Sequence, residues 1–339
     1  MKKMPIIPNI APIWQSQSWQ NLLANAFDSS DELLAALQLD KNALDVSQKA
    51  AADFPLRVPA SYVAKMRSGD PNDPLLRQVL PLGAEMNLVD GFSADPLQEN
   101  ASNPLPGIVH KYQGRVLLIT SGACAINCRY CFRRHFPYGD NNPSLVEWQQ
   151  SLDYISTRPD IDEVILSGGD PLAASDKYLA RLVAQLAEIK HVKRLRIHSR
   201  LPVVIPQRIT DDTLAWMDTH RFDIAFVVHA NHPNELDEYT RQAFQRLTSH
   251  GVTLLNQGVL LAGINDDADC LIALSKALFS QGVLPYYMHA LDKVAGAAHF
   301  DVSRERARSL AAELLTALPG YLVPRFVFTQ AGAAHKLTV

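Results

Sequence analysis

The sequence predicts an α/β fold: a partial, open (β/α)6 barrel preceded by a mainly helical region. Three observations predict it. Short β-branched and aliphatic runs recur from about residue 115 onward, as expected of parallel strands buried on both faces. Amphipathic stretches of helical length lie between most of them, such as DKYLARLVAQLAEI and DADCLIALSKALFSQG, which is the alternation of strand and covering helix. About six such units are visible, fewer than the eight of a closed barrel.

Taken in order, the first hundred residues differ from the rest. SWQNLLANAF and SSDELLAALQL read as short helices, the second with Ser29, Ser30 and Asp31 available to cap its start. Pro55, Pro59, Pro71 and Pro74 punctuate the next stretch, and GDPNDPLLRQVLP reads as a turn and then a helix. The strands are expected at VLLIT (116–120), EVILS (163–167), RLRIH (194–198), IAFVVH (224–229), TLLNQGVL (253–260), LPYYMH (284–289) and RFVF (325–328). This divides the chain into a helical region, 1–105, and a barrel with its C-terminal segment, 106–339. In such folds chemistry sits at the C-terminal ends of the strands.

Composition excludes several classes. At 339 residues with 47% hydrophobic and 20% charged side chains, the chain can build a normal core and is not a disordered protein. A net charge of −3 and a pI near 6.4 give no footprint for nucleic acid or an acidic membrane. The opening MKKMPIIPNIAPIW has two lysines before apolar residues, but Pro5, Pro8 and Asn9 break the run and no cleavage site comes after it, which argues against a signal peptide. No run approaches the ~18 apolar residues of a membrane span. The expectation is a soluble, cytoplasmic protein.

Three of the four cysteines, Cys124, Cys128 and Cys131, fall in GACAINCRYCFRR after the first strand. Clustered this way they are no disulfide framework; they suggest a reducing compartment and a metal or redox site. A structural zinc site takes four protein ligands, and an electron-transfer cubane takes four cysteines. The fourth, Cys270, lies about 140 residues away in a helical pattern and reads as a small buried hydrophobe. Three thiolates suffice for three irons of a 4Fe–4S cluster, leaving the fourth iron open to a ligand. LSGGDPL (166–172) ends the next strand, and its glycines let a ligand approach the backbone.

The run C-A-I-N-C-R-Y-C, with Tyr130 before the third cysteine, resembles the signature of radical S-adenosylmethionine enzymes, whose fold is a partial (β/α)6 barrel. The resemblance implies a 4Fe–4S cluster on Cys124, Cys128 and Cys131, with S-adenosylmethionine on the open iron and its amino group near Gly168, Gly169 and Asp170. It also implies an external electron donor. DPNDPLLRQVLP, CRYCFRRHF, ILSGGDPL, NQGVLLAGIND and PYYMHALDKVAGAAHF resemble, more narrowly, the lysine 2,3-aminomutase family over roughly residues 55–339. They are most similar to its short bacterial branch, which makes (R)-β-lysine for elongation factor P.

That resemblance implies an isomerase that moves the α-amino group of lysine to the β carbon, using a 5′-deoxyadenosyl radical and a pyridoxal phosphate aldimine. The terminal FTQAGAAHKLTV places the cofactor's Schiff-base lysine at Lys336, although a lysine so near the end ordinarily belongs to a solvated tail. Arg115, assisted by Lys111, matches the phosphate site; Arg133 matches the arginine for the substrate carboxylate; Asp292 matches the aspartate for its side-chain ammonium. His229, Asn231, His232 and Gln257 are expected at the barrel mouth, with His229 and Gln257 binding cofactor. Two features depart from the longer family members. Thr329 stands where they carry a second aspartate, and the intersubunit zinc cysteines are missing, so neither zinc nor their tetramer carries over; a homo-oligomer remains open. Other readings are a different amino acid aminomutase, or a radical enzyme acting by methyl transfer or on peptide or RNA, with Lys336 as a mere tail. A non-enzymatic electron carrier is a third.

Overall fold

A computed structural model of the chain describes residues 15–42, 44–141 and 145–339; the opening MKKMPIIPNIAPIW lies outside them. Near the N-terminus three short helices form, α1 (Trp19–Ala24), α2 (Ser30–Ala36) and α3 (Gln48–Asp53). Each begins at a serine whose hydroxyl accepts a backbone N–H of the first turn: Ser18, Ser29 and Ser47. In the expected turn and helix of 69–81, Asp73 accepts from the amides of Leu75 and Leu76, and a single turn, Pro74–Arg77, forms there. These helices do not stand apart. Trp19, Leu33, Tyr62 and Leu75 share one buried cluster with Leu118, Leu166, Ile197 and Phe226 of the barrel strands.

Nine strands form one sheet in sequence order: β1 (Ile108–Tyr112), β2 (Arg115–Ser121), β3 (Glu163–Gly168), β4 (Arg194–Ser199), β5 (Asp223–Val228), β6 (Thr253–Val259), β7 (Leu284–His289), β8 (Arg325–Phe328) and β9 (Leu337–Thr338). The seven from β2 to β8 are parallel. Each of the six connections holds a helix of six residues or more: α4 (Leu145–Ser156), α5 (Asp176–Ala187), α6 (Asp211–Trp216), α7 (Glu238–Ser249), α8 (Ala268–Ser280) and α9 (Arg304–Ala317). The expected six units and all seven strand runs are therefore present. Where the first parallel strands begin, register aligns Arg115, Glu163, Arg194 and Asp223, while the ion pairs formed there are Arg194 with Asp162 and Arg196 with Glu163.

The two outer strands are antiparallel. β1 pairs with β2 through a hairpin whose Gly114 has φ +76°. β9 returns along β8, with Val327 opposite Thr338 and Phe328 opposite Leu337. This second pairing fixes the end of the chain, where a frayed tail is the ordinary expectation.

Candidate active site

Because strand side chains alternate, every second residue of the parallel strands points inward. Ile165 and Ser167 on β3, Arg196 and His198 on β4, Gln257 and Val259 on β6, and Tyr287 and His289 on β7 all line one cavity of about 640 Å³. Arg115 and Arg325, the first residues of β2 and β8, line it too. The cavity therefore extends beyond the C-terminal strand ends at which the chemistry of this fold is expected.

Cys124, Cys128 and Cys131 open into this cavity from the loop after β2. Burial pushes the Cys124 thiol well up and the Cys131 thiol up to about 11. Among the described residues no group of His, Cys, Asp and Glu side chains is arranged to hold a single metal ion. A cubane sets its thiolates around a wider body than one ion does, and three cysteines of one loop facing one cavity suit it. Cys270 lies elsewhere, on α8, its thiol 3.9 Å from the carbonyl of Ile264.

The two glycines of GGD line the cavity and also pack closely against the chain itself. A Cβ on Gly168, which has φ +124°, would stand 2.5 Å from the carbonyl oxygen of Ser121; one on Gly169 would stand 2.5 Å from that of Ala123. What approaches these glycines is the protein's own backbone just before Cys124. Asp170 is likewise engaged within the chain. Its carboxylate accepts from Ser199 Oγ at 2.7 Å and from the amides of Arg200, Leu172 and Leu201 at 2.8, 3.0 and 3.2 Å. Burial nevertheless pushes its carboxyl up to about 6.

Lys336 lines the cavity immediately before β9, its ammonium 5.7 Å from the centroid of the Tyr287 ring. Burial lowers its pKa to about 8, against an opposing pull from Asp292. Asp292 also lines the cavity, and burial raises its carboxyl to about 6. No cation among the described residues lies within ion-pair distance of it, so it can accept a cationic ligand. Arg115 lies over the Tyr112 ring at 4.7 Å and has no carboxylate partner among the described residues, which suits a phosphate.

The other expected groups are distributed unevenly. Lys111 donates to the carbonyl of Leu97 at 3.1 Å and sits 3.5 Å from Glu99. Arg133 pairs bidentately with Glu99, Nε to Oε2 at 2.7 Å and Nη2 to Oε1 at 3.0 Å. His229, Gln257 and Asn231 line the cavity. His232 does not; it caps the turn Pro233–Glu235, its Nδ1 accepting from the amide of Asn234.

Several cavity residues were not anticipated as site residues: Glu99, His198, Arg200, Tyr287 and His289. The histidines are informative. Burial lowers the pKa of His229 to about 4, and of His198 and His289 well below the usual range, so all three are neutral. The buried Nε2 of each has no partner. Buried polar atoms are nearly always paired, so three orphans around one cavity fit a polar organic ligand. Three thiols, a free cation, a lysine of lowered pKa and these histidines together fit a cluster, S-adenosylmethionine and pyridoxal phosphate.

Comparison with known proteins agrees with this arrangement. Residues 118–269 match the Radical SAM superfamily. An L-lysine 2,3-aminomutase of Escherichia coli is 50% identical over 94% of both chains. The chain belongs to the lysine 2,3-aminomutase family. Among its relatives, an L-lysine 2,3-aminomutase of Haemophilus influenzae is 47% identical over 98% of both chains. One from Clostridium subterminale is 34% identical over 96% of this chain and 78% of its own length. Members are isomerases that use a 4Fe–4S cluster, S-adenosylmethionine and pyridoxal phosphate. No described helix is long and apolar enough to cross a membrane.

Proposed function

We propose that this protein is a cytoplasmic L-lysine 2,3-aminomutase that makes β-lysine of the R configuration for the modification of elongation factor P. The observation that supports it most is that Lys336, the three cysteines and the unpaired Asp292 face one cavity. Near full-length likeness to the E. coli and H. influenzae relatives supports the short bacterial branch. The division into 1–105 and 106–339 belongs to the same reading.

When bound, the reduced cluster with S-adenosylmethionine supplies a radical that abstracts and returns hydrogen, and pyridoxal phosphate supplies a π system for moving nitrogen. The chain's residues bind and orient. Cys124, Cys128 and Cys131 hold three irons. Lys336, with its lowered pKa, presents a neutral amine to the cofactor aldehyde more readily than an exposed lysine does. Arg115 takes the phosphate, while Lys111 fastens the segment around Leu97 and Glu99 over the cavity. Arg133 binds the substrate carboxylate and Asp292 its ε-ammonium; Thr329 adds no second charge, so Asp292 carries that recognition alone. His229, with Gln257, offers uncharged hydrogen bonds to the cofactors. Gly168, Gly169 and Asp170 shape the backbone beside the cysteine loop. An external reductant feeds the cluster.

The test is anaerobic loading with pyridoxal phosphate, borohydride reduction, digestion and mass spectrometry, and then a chiral assay of L-lysine against β-lysine. A pyridoxyl adduct on Lys336 and accumulation of (R)-β-lysine are expected. With the cluster intact and the cofactor in excess, absence of the adduct overturns the role of Lys336. An adduct without turnover of lysine overturns the substrate.

A further inference from the structure

A guanidinium has two edges on which it can bind a carboxylate bidentately, Nε with Nη2 and Nη1 with Nη2. In Arg133 the first edge is already taken by Glu99, at 2.7 and 3.0 Å. The remaining nitrogen makes only long contacts, Nη1 to the carbonyl of Gly168 at 3.3 Å and to Ser167 Oγ at 3.5 Å. The group lies 4.9 Å from the Phe132 ring centroid and 6.0 Å from that of Phe136. Both Arg133 and Glu99 side chains are 7% exposed, and both line the cavity.

Glu99 is itself held in place. Its amide donates to Asp95 Oδ1 at 3.0 Å, and Lys111 grips the same segment through the carbonyl of Leu97 and the Glu99 carboxylate. The preceding residue, Gln98, has φ +50°, a conformation that non-glycine residues rarely adopt. Upstream, Ser93 pairs with the backbone beside Asp292, exchanging bonds with Lys293 and Ala295 at 2.9 Å. Arg133 and Lys111 carry two positive charges against the single negative charge of Glu99. That corner retains one positive charge, which a substrate carboxylate neutralises.

We propose that Glu99 is a positioning residue for the reaction: it occupies the Nε/Nη2 edge of Arg133 so that the Nη1/Nη2 edge is turned to the substrate carboxylate. This rests on Arg133 being the carboxylate-binding arginine of the proposed function. A fixed guanidinium accepts a carboxylate in one orientation and so sets the α and β carbons of the substrate relative to the cofactors.

The test uses the enzyme carrying its cofactors, and compares Glu99→Gln, Glu99→Asp and Arg133→Gln with the parent. For Glu99→Gln, KM for lysine is expected to rise about tenfold or more, with a much smaller change in kcat; Glu99→Asp recovers part of the loss. 1,5-Diaminopentane, which is lysine without its carboxylate, serves as an inhibitor whose inhibition constant is unchanged by Glu99→Gln. A merely structural defect would weaken both ligands together and would overturn the proposal. A fall in KM would overturn it as well, since Glu99 would then be competing with the substrate for Arg133. If Arg133→Gln leaves KM unchanged, the reading of Arg133 fails; if only Glu99→Gln leaves KM unchanged, the positioning role fails alone.

Discussion

Arg200 donates from Nη1 to the sulfur of Cys128 across 2.6 Å. The contact is one end of a buried polar web. From the same guanidinium, Nη2 reaches Glu235 at 2.8 Å, Gln78 at 2.9 Å and the Tyr62 hydroxyl at 3.0 Å. Glu235 is fully buried, and Arg200 is its ion-pair partner among the described residues, while its other oxygen accepts from the amides of Asn231 and His232. Arg200→Met leaves that carboxylate unpaired and is expected to cost about 3–5 kcal/mol, read as a lower urea midpoint of the cofactor-free protein. An unchanged midpoint would show that the web contributes nothing to stability.

On the proposed role of Lys336, only its neutral amine attacks the cofactor aldehyde. Its pKa is lowered to about 8, so the neutral fraction grows as pH rises through that value. The rate of pyridoxal phosphate attachment, monitored by absorbance, is expected to climb between pH 7 and 9 and then level off. Asp292 is the group that opposes the lowering. Asp292→Asn therefore moves the midpoint to lower pH; a midpoint that moves upward contradicts the assignment.

The same aspartate makes a separate prediction for the substrate. Its carboxyl titrates near 6, and only the ionised form attracts an ammonium. kcat/KM for lysine is expected to fall as pH drops through 6. Asp292→Asn should reduce kcat/KM roughly 10- to 100-fold, the worth of one charge-assisted hydrogen bond, and should abolish that acid limb. Persistence of the limb in the variant would assign it to another group.

Gly169→Ala tests the close packing of the cysteine loop. The new methyl group meets the Ala123 carbonyl at 2.5 Å, well inside van der Waals contact. The loop preceding Cys124 must shift to relieve it. We expect iron bound after anaerobic reconstitution to drop below that of the parent, measured by iron and sulfide analysis. Full iron loading would mean that the loop has slack.

The barrel was legible because its strands are buried on both faces, which forces apolar runs such as EVILS and IAFVV. The outer strands were not. β9 has two residues, in a stretch with no apolar run, and pairs with β8 as Val327 with Thr338 and Phe328 with Leu337, so the pairing is a tertiary event. β1 left a weak trace in YQGR, a hairpin turn with glycine at the left-handed position. At the site, the cysteines were legible through local spacing, and Lys336 only through the family resemblance of FTQAGAAHKLTV. Glu99 and Arg200 were not, because each acquires its role from a residue far along the chain, Arg133 and Cys128. His198 was visible only as the last letter of a predicted strand, and His289 as part of PYYMHALDKVAGAAHF; their orphaned nitrogens exist only once the barrel forms.

The pairing of β9 with β8 has a mechanical consequence. Two register pairs, and the amide of Val339 on the carbonyl of Phe326, hold the tail that carries Lys336. Such a short ladder unzips at low cost. On the proposed role of Lys336, the loaded tail is a latch fastened twice, by hydrogen bonds on one side and a covalent bond on the other. Loading the cofactor then slows amide exchange in residues 337–339, so this segment reports whether the cavity is filled.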